Sequence, residues 1–202
     1  MFKVQDFDIF TIAGLEERMA LIRQEIQPTF QKVDEELATV LAEALEEPLY
    51  IHIAQHRRRT VYPPESTWSA ISPHKRGYKM APHFQVGIWP DFVFLYLSYI
   101  DNPKGEQEMA DRLLAQPELF ATLPKDTVIA LDHTKPAYQR LEEADLPKAL
   151  TRLRDVKKGE FQIGRVIPRH DVLWQDEHLT TYMQETFLSL VPIYQASLGE
   201  DK

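Results

Sequence analysis

The chain has 202 residues, a formal net charge of -8, 44% hydrophobic and 27% charged residues, and no cysteine. Its length fits one compact domain that needs no staples, and the lack of cysteine excludes disulfides, thiolate metal sites and cysteine nucleophiles. Positive charge is concentrated: residues 50–89 hold six bases (Arg57, Arg58, Arg59, Lys75, Arg76, Lys79) against Glu65 alone, while the rest of the chain holds 17 bases against 30 acids, so an acidic protein carries one segment that attracts anions.

In chain order, the first six residues lack a basic region followed by an apolar run, so no signal peptide is expected. Leu15, Met19, Ile22 and Ile26 recur at helical spacing. Pro28 interrupts that pattern and suits the start of a second helix with Phe30, Val33, Leu37 and Leu41 as its stripe, ending before Pro48. Strands are predicted over 49–54, 83–89 and 92–100, the last two joined through Pro90-Asp91 as a hairpin, and over 127–131 and 161–167. Helices are predicted over 104–116, 118–123, 137–154 and 176–196, with Pro192 as a kink in the last. The longest apolar stretch, 92–100, is half the length of a spanning helix. The expectation is a cytoplasmic protein with no membrane partner.

This order reads as α+β: a mainly antiparallel sheet packed on a long C-terminal helix, with an N-terminal helical pair. One domain over 1–202 is expected, with 1–47 as its helical segment and 48–202 as sheet and helices.

Residues 58–64 (RRTVYPP), Thr67-Trp68, residues 75–80 (KRGYKM) and 82–89 (PHFQVGIW) resemble the YktB-like family of uncharacterised bacterial proteins. Asp6-Phe7-Asp8, Gly14-Leu15-Glu16, Arg18-Met19, residues 132–136 (DHTKP), Gly164-Arg165, Pro168-Arg169 and Glu185-Thr186-Phe187 are similar too, so the resemblance spans nearly the whole chain. It implies a curved antiparallel sheet holding a long helix, as in helix-grip or TATA-box-binding-protein-like folds. It implies no activity, cofactor or catalytic residue.

Alternation places Ile51 and Ile53 on one strand face and Tyr50, His52, Ala54 and His56 on the other. In the next strand Phe84, Val86 and Ile88 oppose His83, Gln85, Gly87 and Trp89. The sheet is therefore expected to have an aliphatic face and a polar-aromatic face able to stack on rings and bond their edges. The competing reading is that the N-terminal helices cover that second face. Residues 57–82 read as one long loop, a common place for function, with Gly77 at a turn. Arg57, Arg58, Arg59, Lys75, Arg76 and Lys79 interleave there with Tyr62, Trp68 and Tyr78, a pattern suited to phosphates and bases. The competing reading is a solvated strand end paired with acidic helices.

A metal site built from His52, His56, His83 and His133 is the weakest reading, since no ligand spacing of a known type occurs. Asp132-His133-Thr134-Lys135-Pro136 reads as a turn after a strand, and an Asp132–His133 acid–base pair is disfavoured because adjacent side chains point apart. Arg165, Arg169, His170 and Asp171 are candidates to add charge near the basic loop. No phosphate-loop, dinucleotide or nucleophile-elbow motif appears.

The sequence thus points to a non-enzymatic protein, without cofactor or metal, that binds a nucleic acid or a phosphorylated small molecule. Its expected ligand-binding residues are Arg57, Arg58, Arg59, Trp68, Lys75, Arg76, Tyr78, Lys79, His52, His83, Gln85 and His133. A monomer is favoured. Two alternatives are a small-molecule binder or enzyme with a pocket between sheet and C-terminal helix, lined by Tyr96, Tyr99, Phe187 and Tyr194, and a protein-interaction module using the acidic N-terminal helices.

Overall fold

Apolar residues at helical spacing draw the N-terminal segment onto the core. A computed structural model describes residues 1–101 and 103–199. In it, a short helix α1 (Val4–Asp8), not expected from the sequence, precedes α2 (Leu15–Leu21). Pro28 does not separate two helices. A π-helical turn over Ile22–Ile26 runs directly into α3 (Gln27–Leu45), whose first turn contains the proline; the wider π turn accommodates the ring and the missing N–H within one continuous helical segment. The chain leaves α3 through Glu46 in the left-handed region (φ 54°).

Among the described residues seven strands follow: β1 (Tyr50–Ile53), β2 (Thr67–Ser72), β3 (His83–Ile88), β4 (Phe92–Tyr99), β5 (Val128–Ala130), β6 (Gln139–Arg140) and β7 (Phe161–Pro168). They form one open sheet in the order β1-β2-β3-β4-β7-β5-β6, with every neighbouring pair antiparallel. Between them lie α4 (Glu106–Leu114), α5 (Glu118–Ala121) and α6 (Leu146–Asp155), and the chain closes with α7 (Leu179–Leu198), which contains Pro192.

Two expectations change. The long loop of 57–82 is split by β2, leaving loops of 54–66 and 73–82. Five of the six β2 residues are buried and the other is half-buried, but polar and apolar residues are mixed on both faces (Thr67, Ser69 and Ile71; Trp68, Ala70 and Ser72), so the strand shows no period-2 alternation to read. The helix expected over 137–154 begins only at Leu146. Pro147 sits in its first turn and the Asp145 carboxylate accepts from the Lys148 N–H, which fixes the start there.

The sheet's aliphatic face, with Ile71, Phe84, Val86 and Leu95, shares one apolar cluster with Phe30, Val33, Leu37 and Leu41 of α3 and with Met183, Phe187 and Tyr194 of α7. The N-terminal helices therefore cover this face, and the polar-aromatic face is left to loops. The space between sheet and α7 is filled by its own rings: Phe84 lies 5.2 Å from Phe187 and 5.4 Å from Tyr194. Tyr96 is not there at all. It stacks on Phe94 at 4.8 Å within a second cluster containing Trp89 and Phe92. This removes the pocket expected from Tyr96, Tyr99, Phe187 and Tyr194.

Gly164 shows how closely the central strands approach. Paired opposite Tyr96, it leaves so little room that a Cβ would sit 1.9 Å from the Leu95 carbonyl oxygen. Gly164→Ala must push β7 away from β4 and is expected to lower stability by about 2–3 kcal/mol, the upper range for overpacking. Urea unfolding measures this, and an unchanged midpoint would show that the strands yield without loss.

Candidate functional site

Register across the sheet sets out the polar-aromatic face in rows. Trp68, Gly87, Phe94 and Val166 lie across four strands, then His52, Ala70, Gln85, Tyr96 and Gly164, then His83, Ser98 and Gln162. Gly87 makes this face possible, because any Cβ there would fall 2.0 Å from the Phe94 ring. Gln85, Ser98 and Gln162 form a buried hydrogen-bonded trio: the Gln85 amide oxygen accepts from Ser98 at 2.9 Å and from Gln162 at 3.2 Å. Above the trio, beneath Trp68 and His133, remains a cavity of about 10 Å³, room for one water. Gln85 is thus sealed from the surface and cannot read a ring bound outside.

Outside that seal lies an open cleft of about 850 Å³. Its lining comes from three segments: His56, Arg57, Arg58 and Arg59 after β1; Trp68, Tyr78 and Lys79 from β2 and the turn before β3; and Asp101, His133 and Thr134 at the ends of β4 and β5. Four cations therefore face one carboxylate, and the Lys79 ammonium already pairs with it. Arg59 donates to the Tyr62 carbonyl at 3.3 Å. Arg57 and Arg58 make no hydrogen bond or ion pair among the described residues, and all three arginines are exposed.

Trp68 organises the cleft floor. Its indole N–H donates to the Tyr78 hydroxyl at 3.1 Å, and Lys79 lies 5.5 Å from its ring centroid. His56 and His133 meet it edge-on at 5.5 and 6.4 Å. Burial, with the Arg59 charge, lowers the His56 pKa to about 4, so this ring is neutral in the cleft. His52 and His83 form a separate group around Tyr78, His52 tilted over the ring at 5.0 Å and His83 edge-on at 4.9 Å. The His52 Nε2–H donates to the His74 carbonyl at 2.8 Å. His83 is fully buried. Its Nδ1–H donates to the Ala81 carbonyl at 2.9 Å, its Nε2 has no partner among the described residues, and burial lowers its pKa to about 4. The four histidines weighed as metal ligands thus divide between two groups, and His52 and His83 hold the turn before β3.

His133 has a partner that the sequence did not suggest. Glu160, 27 residues away and just before β7, accepts the His133 backbone N–H at 2.8 Å and meets His133 Nδ1 at 2.7 Å. Asp132 instead caps its own turn, accepting from the Thr134 N–H at 3.0 Å, and these local bonds hold its pKa down at about 2.

Of the twelve expected ligand-binding residues, Arg57, Arg58, Arg59, Trp68, Tyr78, Lys79 and His133 line the cleft. His83 and Gln85 are buried outside the cleft lining, and His52 is half-buried on the edge strand. Lys75 and Arg76 do not join it: Lys75 lies 5.3 Å from the Tyr50 ring centroid, beside the edge strand. Arg165 and Arg169 also point elsewhere. Arg165 donates to Asp126 at 2.8 Å and covers the Tyr182 ring at 3.7 Å, while Arg169 pairs with Asp8 at 2.6 Å. His56 was weighed as a metal ligand and on the polar-aromatic face, and Thr134 within the turn of 132–136, but neither was counted among the ligand-binding residues; Asp101 and Glu160 carried no sequence signal.

Fold and site together define an α+β protein with an open antiparallel sheet, helices on one face and a cationic cleft on the other. The chain belongs to the family described as "Domain of unknown function (DUF1054)", whose profile matches residues 2–194. It is 57% identical to a UPF0637 protein of Enterococcus faecalis over 99% of both chains. It is 45% identical to one from Exiguobacterium sibiricum over 96% of both, and 48% identical to one from Lactococcus lactis over 96% of this chain and 98% of that one. No helix among the described residues is long and apolar enough to cross a membrane.

Proposed function

We propose that this chain is a cytoplasmic, monomeric, single-domain binding protein whose cleft takes a phosphate-bearing anion carrying an aromatic ring. A nucleotide or the end of a single-stranded nucleic acid has that chemistry. The observation that carries the reading is the convergence of Arg57, Arg58, Arg59 and Lys79 with Trp68 and Tyr78 around one cleft in a protein of charge -8. Guanidinium forks match phosphate oxygens in plane, and indole and phenol rings give a base a stacking surface. The cleft volume lies within the range of small-ligand sites, which favours one or two nucleotides over a long strand. The neutral His56 adds hydrogen bonding without repelling the arginines.

Fluorescence polarisation of the full chain with a labelled mononucleotide and with labelled single-stranded and duplex oligonucleotides, over a salt series, tests this reading. The expected result is binding that weakens steeply with salt, strongest for ligands with a free, unstacked base. Absence of binding to every probe at low salt would refute it.

A further inference from the structure

We infer that Asp101, His133 and Glu160 form a site for one divalent transition-metal ion at the edge of the cationic cleft. Each of the three offers a ligand atom, and these atoms lie within 4.8 Å of one another. Their convergence follows from strand order. β4, β7 and β5 are neighbours running alternately up and down, so the residues just after β4, just before β7 and just after β5 all reach the same end of the sheet. Sequence separation conceals the trio, since Asp101 and His133 stand 32 positions apart.

The chemistry of the set suits a cation of intermediate softness. One imidazole nitrogen with two carboxylate oxygens is a donor set for Zn²⁺, Mn²⁺ or Fe²⁺. Three protein ligands leave further positions open, as in catalytic rather than structural sites. Two of the ligands are already set. Glu160 is nearly buried, its side chain 11% exposed, and both its oxygens are aimed by His133, one at the backbone N–H and one at Nδ1. In the metal-free chain a proton bridges Nδ1 and the carboxylate. A metal replaces that bridge, and the imidazole proton moves to Nε2. Tetrahedral donors about 2.1 Å from zinc lie about 3.4 Å apart, so ligand atoms spread over as much as 4.8 Å must close in by up to about 1.4 Å. Asp101 can do so, because its side chain is 45% exposed and its one ion pair among the described residues is with the Lys79 ammonium, Arg58 adding a longer-range attraction. Lys79 thus supplies the positive charge that an ion would otherwise provide, and the two compete for Asp101.

The open positions of the ion adjoin the arginine-lined cleft, so phosphate oxygens of an anion held there would complete its coordination. That last step rests on the anion-binding reading, whereas metal binding does not.

Isothermal titration of Zn²⁺ alone into the chelator-treated full chain separates the two. The expected result is one equivalent bound at micromolar concentration, weakened at least tenfold in Asp101→Asn and in His133→Asn. Lys79→Met, which frees Asp101, is expected to bind more tightly than wild type. Circular dichroism confirms folding, and the exposed Asp101 keeps the test valid should His133→Asn misfold. No binding by the wild type, or equal affinity in Asp101→Asn, would overturn the metal site and leave Glu160 as the residue that orients His133. Loss of oligonucleotide binding with zinc binding intact would refute the anion reading alone.

Discussion

Asp34→Asn is expected to stabilise the protein by about 4 kcal/mol at pH 8 and by almost nothing at pH 4. Asp34 sits on the buried side of α3, fully excluded from solvent, and neither carboxyl oxygen has a hydrogen-bond partner among the described residues. The neighbouring Ser69 hydroxyl donates to the Val86 carbonyl at 3.3 Å. Burial raises the carboxyl from its ordinary 3.8 to about 7. The folded state therefore keeps this proton up to about pH 7, whereas the unfolded chain releases it above about pH 4. Between those values the folded state binds more protons, so stability falls as pH rises through the window and levels off above it. Asparagine has the same shape and cannot ionise, so its advantage should appear only as Asp34 becomes charged in the unfolded chain. Urea unfolding of both proteins from pH 4 to 8 measures this. A difference that does not change with pH would mean that Asp34 titrates as a solvated carboxylate.

Replacing Arg57, Arg58 and Arg59 together with glutamine is expected to weaken anion binding about 100-fold at low salt and to flatten its salt dependence. Each guanidinium is exposed, so pairing with a phosphate is worth about 1 kcal/mol here rather than the larger value of a buried pair. Three such pairings amount to about two powers of ten in affinity, and removing each phosphate-binding charge reduces the salt slope by roughly one. Lys75→Gln with Arg76→Gln, which removes two charges against three, is the control. It removes charge from the same basic segment but from outside the cleft, so affinity should hardly change. Equal losses per charge removed would mean that the segment attracts anions by its overall charge and that the cleft has no special part.

Local patterns carried much of the fold. Alternation in 83–88 separated Phe84, Val86 and Ile88 from His83 and Gln85, and the structure puts the first group against α3 and α7 and the second on the opposite face. The Pro90-Asp91 hairpin closes as expected, with the Trp89 N–H donating to the Phe92 carbonyl at 2.9 Å. Where a strand mixes polar and apolar residues on both faces, as in β2 with Thr67, Ser69 and Ile71 on one and Trp68, Ala70 and Ser72 on the other, no alternation appears and the element was unreadable. Where a strand has only two residues, as in β6, there is no period to detect.

The site divides along the same line. Its charge was visible because Arg57, Arg58 and Arg59 are adjacent in sequence, and its rings because Trp68 and Tyr78 lie in the same segment. The sequence by itself determined the secondary structure of most of the chain, the two unlike faces of the sheet and the place of the basic segment, since each depends on residues within a few positions of one another. Only the tertiary structure decided that Lys75 and Arg76 leave the cleft, that Gln85 is sealed beneath it, and that Asp101, His133 and Glu160 meet. Those outcomes depend on strand order and on which loops roof the polar face, and both are settled by long-range packing that local periodicity does not encode.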